Sequence, residues 1–267
     1  MTASLRVASS GGGVQSTAML VLSAQHQIDF PVHLFSNVGD DSEHPATLAY
    51  VREIAMPYAT KNGIELVELR SRPKGSERTL YQKLIDPDGR SVGIPVRMAS
   101  GAPGRRQCTA DYKIRRIASH LKQRGATAEN PAIVALGISR DEYQRMRTDS
   151  GIAWERLAYP LIDLELDRSA CIGIIERAGL PVPPKSSCYF CPFHSLDTWR
   201  KQRRDEPELF SKSVALERTI NAKRAMLGKD SVWLTDALRP LEEAVGDHDQ
   251  LDLFESPSCD IAGYCMS

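Results

Sequence analysis

Short apolar runs alternate with helical periods over the first 70 residues of the chain. "LRVAS" (5–9) reads as a buried strand, a run of three glycines breaks it, and an apolar helix follows to about Ala24. "PVHLFS" (31–36) is a second strand that gives way to the turn-rich "NVGDDSEHP". From Pro45 to Asn62 the apolar residues Leu48, Val51, Ile54 and Ala55 recur at helical spacing. Pro57 has no N–H to donate and should bend or split that helix. Gly63 ends it, and "IELVEL" (64–69) is a third strand. This β-α-β-α-β order predicts a parallel sheet with helices on its faces.

Beyond residue 70 the pattern loosens. Ser71 to Gly104 is rich in Pro, Gly and Arg, with one short helix near Leu80 to Leu84. So long a loop in a compact domain is usually functional or mobile. A helix from Thr109 to about Arg124, a strand from Pro131 to Ser139, and the helix "RSACIGIIERAG" follow, the last capped by Asp167 and ended by Gly179. After Leu180 the register changes: "PVPPKSSCYFCPFH" is irregular, and charged helical sequence runs on to about Leu227. The expected division is an α/β domain over 1–180 and a smaller, helical, cysteine-bearing region over 181–267.

Composition narrows the class. The 267 residues are 42% hydrophobic, ample for a core at this length. No apolar run approaches the roughly 18 residues of a membrane span, and no signal peptide is visible, so a cytoplasmic protein without a membrane partner is expected. The 34 basic and 34 acidic residues cancel, but they are segregated. Arg105, Arg106, Lys113, Arg115, Arg116, Lys122 and Arg124 face only Asp111 between Gly101 and Gly125, while acidic residues dominate from Asp236 to Asp260. Such segregation is read either as two solvated faces or as a basic working face with an acidic tail.

The glycine run carries the most chemistry. Strand, glycines, then helix is the geometry of an anion site, because free N–H groups and the positive end of the helix dipole face the loop. The Walker pattern fails for want of a lysine, and the dinucleotide pattern fails because Ser16 stands where its third glycine belongs. "SGGGVQST" (10–17) instead resembles the pyrophosphate loop of the ATP pyrophosphatases, S-G-G-x-D-S, with one extra residue and Gln15 at or near the usual aspartate.

Four further stretches extend the resemblance over roughly Val7 to Ser195. "SNVGDDSEHPATLAYV" resembles the "TG…HPET" segment of phosphoadenosine-phosphosulfate (PAPS) reductase-like proteins, which implies Asn37 and Gly39 beside the nucleotide. "GISRDEYQRMR" is similar to that family's glycine-arginine-glutamate-arginine segment, which implies Arg140, Arg145 and Arg147 near phosphates or sulfate. "RRQCTADYKIRR" and "LPVPPKSSCYFCPFH" resemble cysteine segments of the nucleic-acid-modifying branch, which includes the sulfur-inserting component of DNA phosphorothioation (Dnd/Ssp) systems.

The resemblance implies a Rossmann-like core of the PP-loop, adenine nucleotide alpha hydrolase-like kind. Ser10, Gly11, Gly12, Gly13, Gln15, Ser16 and Thr17 would hold ATP with Mg²⁺, and Ser16, Arg140 and Arg145 would assist cleavage. Arg105, Arg106, Lys113, Arg115, Arg116 and Arg147 would contact a nucleic-acid acceptor, DNA or tRNA. A cysteine desulfurase would donate sulfur, alongside other subunits of a modification system.

The six cysteines are Cys108, Cys171, Cys188, Cys191, Cys259 and Cys265. "CYFC" (188–191) is a C-x-x-C, which suits zinc, an iron–sulfur cluster or a redox dithiol, although it lies far from where a thioredoxin-like pair would open a helix. Spacing leaves zinc and a [4Fe–4S] cluster equally available. The resemblance favours the cluster, with Cys108, Cys188, Cys191 and one of the C-terminal pair, Cys265 before Cys259, as ligands. Cys171, in an apolar helix, reads as a buried thiol, and His194 as a packed or surface histidine. Two rival functions share these features: a sulfonucleotide reductase with its nucleophile at Cys259 or Cys265, and a zinc-stabilised nucleic-acid-binding module without turnover.

Overall fold

The computed structural model describes residues 4–70 and 78–246. Five parallel strands form one sheet in the order β3-β2-β1-β4-β5: β1 Arg6–Ser10, β2 Val32–Asn37, β3 Glu65–Arg70, β4 Ala132–Leu136 and β5 Glu155–Ala158. Val7 is in register with Val32 on one side and Val134 on the other, and Val134 with Leu157 beyond. The chain thus has the α/β, Rossmann-like architecture that its alternating pattern predicts.

Side chains alternate across this sheet, so each face has its own core. Val7, Leu34, Leu69 and Val134 point to one face and meet Ile117 and Leu121 of α5 (Arg115–Gln123). Ala8 and Ala135 point to the other, where they meet α1 (Val14–Ala24), Leu161 of the short α6 (Pro160–Asp163) and α7 (Arg168–Arg177). Cys171 is fully buried there, as its apolar helix implied, and burial pushes its thiol up to about 12. Asp167 caps α7 by accepting a 2.7 Å hydrogen bond from the Ala170 N–H.

Pro57 does split its helix. The chain runs as α2 (Pro45–Ala49), a π-helical stretch (Tyr50–Ala55), and α3 (Met56–Lys61) with Pro57 in the first turn. A wider π turn ahead of the proline absorbs the hydrogen bond that it cannot donate. A second π stretch, Thr109–Ile114, leads into α5. Strand β5 was not expected, because four residues reading E-R-L-A give no clear period.

A further core crosses residue 180. Leu80 and Leu84 of α4 (Leu80–Ile85), with Val96 and Tyr112, pack against Phe190, Trp199, Phe210 and Leu216. Their partners lie on or beside α8 (Leu196–Asp205) and α9 (Pro207–Met226). Glu217 on α9 accepts 2.7 Å hydrogen bonds from the N–H groups of Leu234 and Leu241, fixing the segment that leads to α10 (Leu241–Ala244). No helix among the described residues is long and apolar enough to cross a membrane.

Candidate functional site

In this strand order β1 lies between β2 and β4, and the crevice where an open α/β sheet takes its ligand is at the carboxyl end of β1. The glycine run sits there. Gly12 has φ +75°, and a Cβ on it would fall 2.9 Å from Val51 Cγ2. The loop therefore lies flush on the π-helical stretch, which only glycine permits. Gly13 caps α1; its N–H donates to Ser16 Oγ at 3.1 Å, and Ser16 Oγ donates to the Gly13 carbonyl at 3.0 Å. Ser16 and Thr17 are buried.

Two clefts flank the run. One, with about 680 Å³ of space partly open to solvent, is lined by Gly13, Gln15, Ser16, Glu142 and the cations Arg145, Arg168 and Lys185. Arg145 is the most constrained of these cations. Its side chain is 6% exposed and its Nη1 donates to Glu142 at 2.6 Å, yet its buried Nε and Nη2 have no hydrogen-bond partner. Gln15 knits the site together: its amide donates to Ser139 Oγ at 3.3 Å and to Glu142 at 3.4 Å, and its carbonyl accepts from Arg168 at 3.3 Å. An acidic group thus stands beside the loop although Gln15 replaces the aspartate.

The other cleft, with about 710 Å³ of space, runs between the sheet and α5. Ser10, Gly11, Lys113, Arg147 and Glu155 line it among apolar side chains. Burial pushes the Glu155 carboxyl up to about 7, opposed by a hydrogen bond from Ser150.

The structure brings three of the predicted ligand cysteines into one neighbourhood. Cys188 pairs by an antiparallel bridge with Glu43, beside α2, and Cys191 lines the cationic cleft. Cys108 and Cys188 pack against the same core. Burial alone would lower the Lys113 ammonium, but the Glu43 carboxylate and then the Cys188, Cys108 and Cys191 thiols outweigh it and raise it. Burial, reinforced by Glu43, pushes the Cys188 thiol well up. Among the described residues no three His, Cys, Asp or Glu side chains stand close enough to hold a single metal ion. Cys259 and Cys265 lie outside the described residues. His194 is a packed histidine, with a ring nitrogen 2.9 Å from Ser187 Oγ and its ring 4.8 Å from that of Trp199; burial lowers it to about 3.

The remaining sequence candidates scatter. Arg140 is exposed and lines neither cleft, while its backbone N–H bonds the Leu166 carbonyl. Asn37 is spent on structure: its carbonyl accepts from the Gly39 N–H at 2.7 Å, and its amide donates to Asp40 at 2.6 Å and Glu68 at 2.7 Å. Gly39 is required where it is, since a Cβ would fall 2.5 Å from Thr79. Arg105 is exposed, Arg106 stacks over Phe193 at 5.2 Å, Arg115 pairs with Asp111 at 2.8 Å, and Arg116 is half-buried with its Nε unpartnered. Sequence reasoning did not single out Glu142, Arg168 and Lys185, although Glu142 and Lys185 lie in two of the quoted segments; folding brings all three to one cleft.

No family model matches this chain, and no curated protein matches it. Among solved structures it is similar to phosphoadenylyl-sulfate (PAPS) reductase from Candida auris, determined as a phosphate complex. The two are 14% identical, with 68% of this chain and 76% of that chain covered and a TM-score of 0.45. At that distance, function has to be argued from this chain's own residues.

Proposed function

We propose that this chain binds ATP with its polyphosphate in the cationic cleft, cleaves it between the α- and β-phosphorus, and so activates an acceptor oxygen for replacement by sulfur. The observation that carries this reading is Arg145, a buried guanidinium with two unpartnered donor atoms at the start of α1. Leaving a buried donor unsatisfied costs roughly 1–3 kcal/mol, and more when it is charged, so such a group calls for an anion. Arg168, Lys185 and the N–H groups of the first turn of α1 supply further positive potential in the same cleft.

In this mechanism an acceptor oxygen attacks the α-phosphorus and pyrophosphate leaves. The adenylated oxygen then departs with AMP when sulfur attacks. The protein's part is positioning and charge neutralisation rather than proton transfer. Ser16 holds the loop closed on itself, Gln15 fixes Arg168 and Glu142, and Arg145 meets the pyrophosphate. The residues fit a hard cation: Glu142 and phosphate oxygens would hold Mg²⁺, which would neutralise the leaving pyrophosphate.

The thiol-rich donor set of Cys108, Cys188 and Cys191 would hold a [4Fe–4S] cluster, closed if Cys265 is its fourth ligand; with Cys265 free, the open site would supply a place to bind sulfur for transfer. We take the acceptor to be nucleic acid, DNA in the first instance, met by Arg105, Arg115 and their basic neighbours. A cysteine desulfurase would serve as donor, with other modification subunits as partners, in the cytoplasm.

The test is release of AMP and pyrophosphate from ATP by anaerobically purified protein given DNA or tRNA, a cysteine desulfurase and cysteine. Sulfur should enter the acceptor in step with AMP, and the affinity for DNA should fall steeply with salt. No AMP with either nucleic acid overturns the reading, and sulfite released from a sulfonucleotide without ATP replaces it with a reductase. Cys108→Ala and Cys188→Ala should each lose bound iron; retention in both refutes the ligand set.

A further inference from the structure

The cationic cleft is lined by the start of α1 and by residues 185–187, where Ser186 closes against Gly13. Ser187 and His194 both line it, with Ser187 Oγ 2.9 Å from His194 Nε2. Their backbones are pinned: the Ser187 carbonyl accepts from the His44 N–H at 3.1 Å, and the His194 N–H donates to the Cys191 carbonyl at 3.0 Å. The His194 ring packs against Trp199, and its Nδ1 is buried without a hydrogen-bond partner.

That orphan fixes the direction of the 2.9 Å bond. An imidazole carries at least one N–H. A proton on Nδ1 alone would be a buried, unsatisfied donor. Trp199 Nε1 also lacks a partner, so the ring pair would then hold two orphaned donors and no acceptor. With the proton on Nε2, His194 donates to Ser187 Oγ, and the ring pair keeps one donor and one acceptor. A doubly protonated ring donates from Nε2 as well. Either way Ser187 spends a lone pair on the ring and keeps its own O–H for the cleft.

We propose that Ser187 donates its hydroxyl proton to the polyphosphate bound in the cationic cleft, and that His194 is the positioning residue that keeps that proton turned outward. The inference rests on the nucleotide reading above and adds to it a donor from outside the glycine loop. The anion is then gripped by the first-turn N–H groups of α1 and by a hydroxyl from the segment that carries Lys185. Arg145, Arg168 and Lys185 supply charge, and Ser187 adds a directed, charge-assisted hydrogen bond.

The experiment has two arms, both on the full chain. In the first, ATP is titrated calorimetrically into wild type, Ser187→Ala and Ser187→Thr. Ser187→Ala should bind ATP about tenfold more weakly, as the loss of one hydrogen bond to a charged group implies. Ser187→Thr restores the hydroxyl and should come within about threefold of wild type. His194→Phe keeps a ring against Trp199 but has no donor, so adding Ser187→Ala to it should cost less than in wild type. In the second arm, the nitrogen-15 shifts of the His194 ring are read by NMR, and Nε2 should carry a proton. Equal ATP affinity in wild type and Ser187→Ala, as great a loss in Ser187→Thr, or a proton on Nδ1 with Nε2 bare overturns the assignment. An equal cost of Ser187→Ala in both backgrounds removes His194 from it. Should the alanine variant fail to fold, the ring's protonation decides alone. If wild type binds no ATP, the nucleotide reading itself has failed, an outcome distinct from equal binding.

Discussion

Arg145 lines the cationic cleft and is held by one 2.6 Å bond to Glu142, while its buried Nε and Nη2 have no hydrogen-bond partner. Charge-assisted hydrogen bonds are worth about 1.5–3 kcal/mol each. Arg145→Ala should therefore weaken ATP binding at least about tenfold, with Arg145→Lys recovering only part, because a lysine cannot offer the forked geometry. Direct titration checks this, and unchanged affinity in Arg145→Ala would remove the residue from the site. At this scale the sequence was informative where a residue lay in a recognisable segment, as Ser16, Gln15 and Arg145 do. It did not single out Glu142 and Lys185, although each lies in a recognisable segment, nor Arg168, the first residue of α7. Nothing in their spacing marks them, because only tertiary folding gives them a common target. For Asn37 and Arg140 the local segment was readable, but side-chain direction was not. One turns back onto its own turn and the other stays out in solvent.

Among the elements, β5 shows most clearly where pattern reading stops. Its alternation is real, but one of its two inward positions is Glu155, so the strand looks amphipathic in neither sense. The same residue fixes a pH dependence. The Glu155 carboxyl is raised from an ordinary 4.5 to about 7, so between those values the native state keeps a proton that the unfolded chain has lost. Stability then falls as pH rises through that window, by roughly 3 kcal/mol at most. Glu155→Gln should flatten the fall, read as the difference in urea midpoint between pH 5 and pH 7.5. An unaltered slope would show that the carboxyl titrates normally. The helix of residues 45–61 was legible down to its break, since a missing N–H has a structural answer that can be foreseen. That the answer is a π turn, pressing Val51 against Gly12, depends on what the helix must pack upon.

Across the whole molecule, alternating strands and helices announced the parallel sheet, because each period is set locally by which face is buried. The third core was hidden, since it joins residues 80–112 to residues 189–245 and such pairing leaves no local trace. It makes residues 1–180 a poor folding unit on their own: Leu80, Leu84, Val96 and Tyr112 would lose their cover. Expressed alone, that fragment should bind a hydrophobic dye strongly and melt without the sharp transition of the full chain; a cooperative, dye-silent melt would show otherwise.

The loop of residues 185–194 is a party wall. Ser186 stands so near Gly13 that a Cβ there would lie 2.8 Å from its hydroxyl, Lys185 and Cys191 line the cationic cleft, and Cys188 reaches Glu43. A ligand in the cationic cleft would shield the side chains on this wall from reagents in solution. Saturating ATP should thus slow alkylation of Cys191 severalfold, followed by mass spectrometry, with buried Cys171 inert throughout. Equal rates with and without ATP would show the two sides to be independent. If the rates differ, Cys191 shares the cleft's occupant, and the loop of residues 185–194 reports on both sides at once.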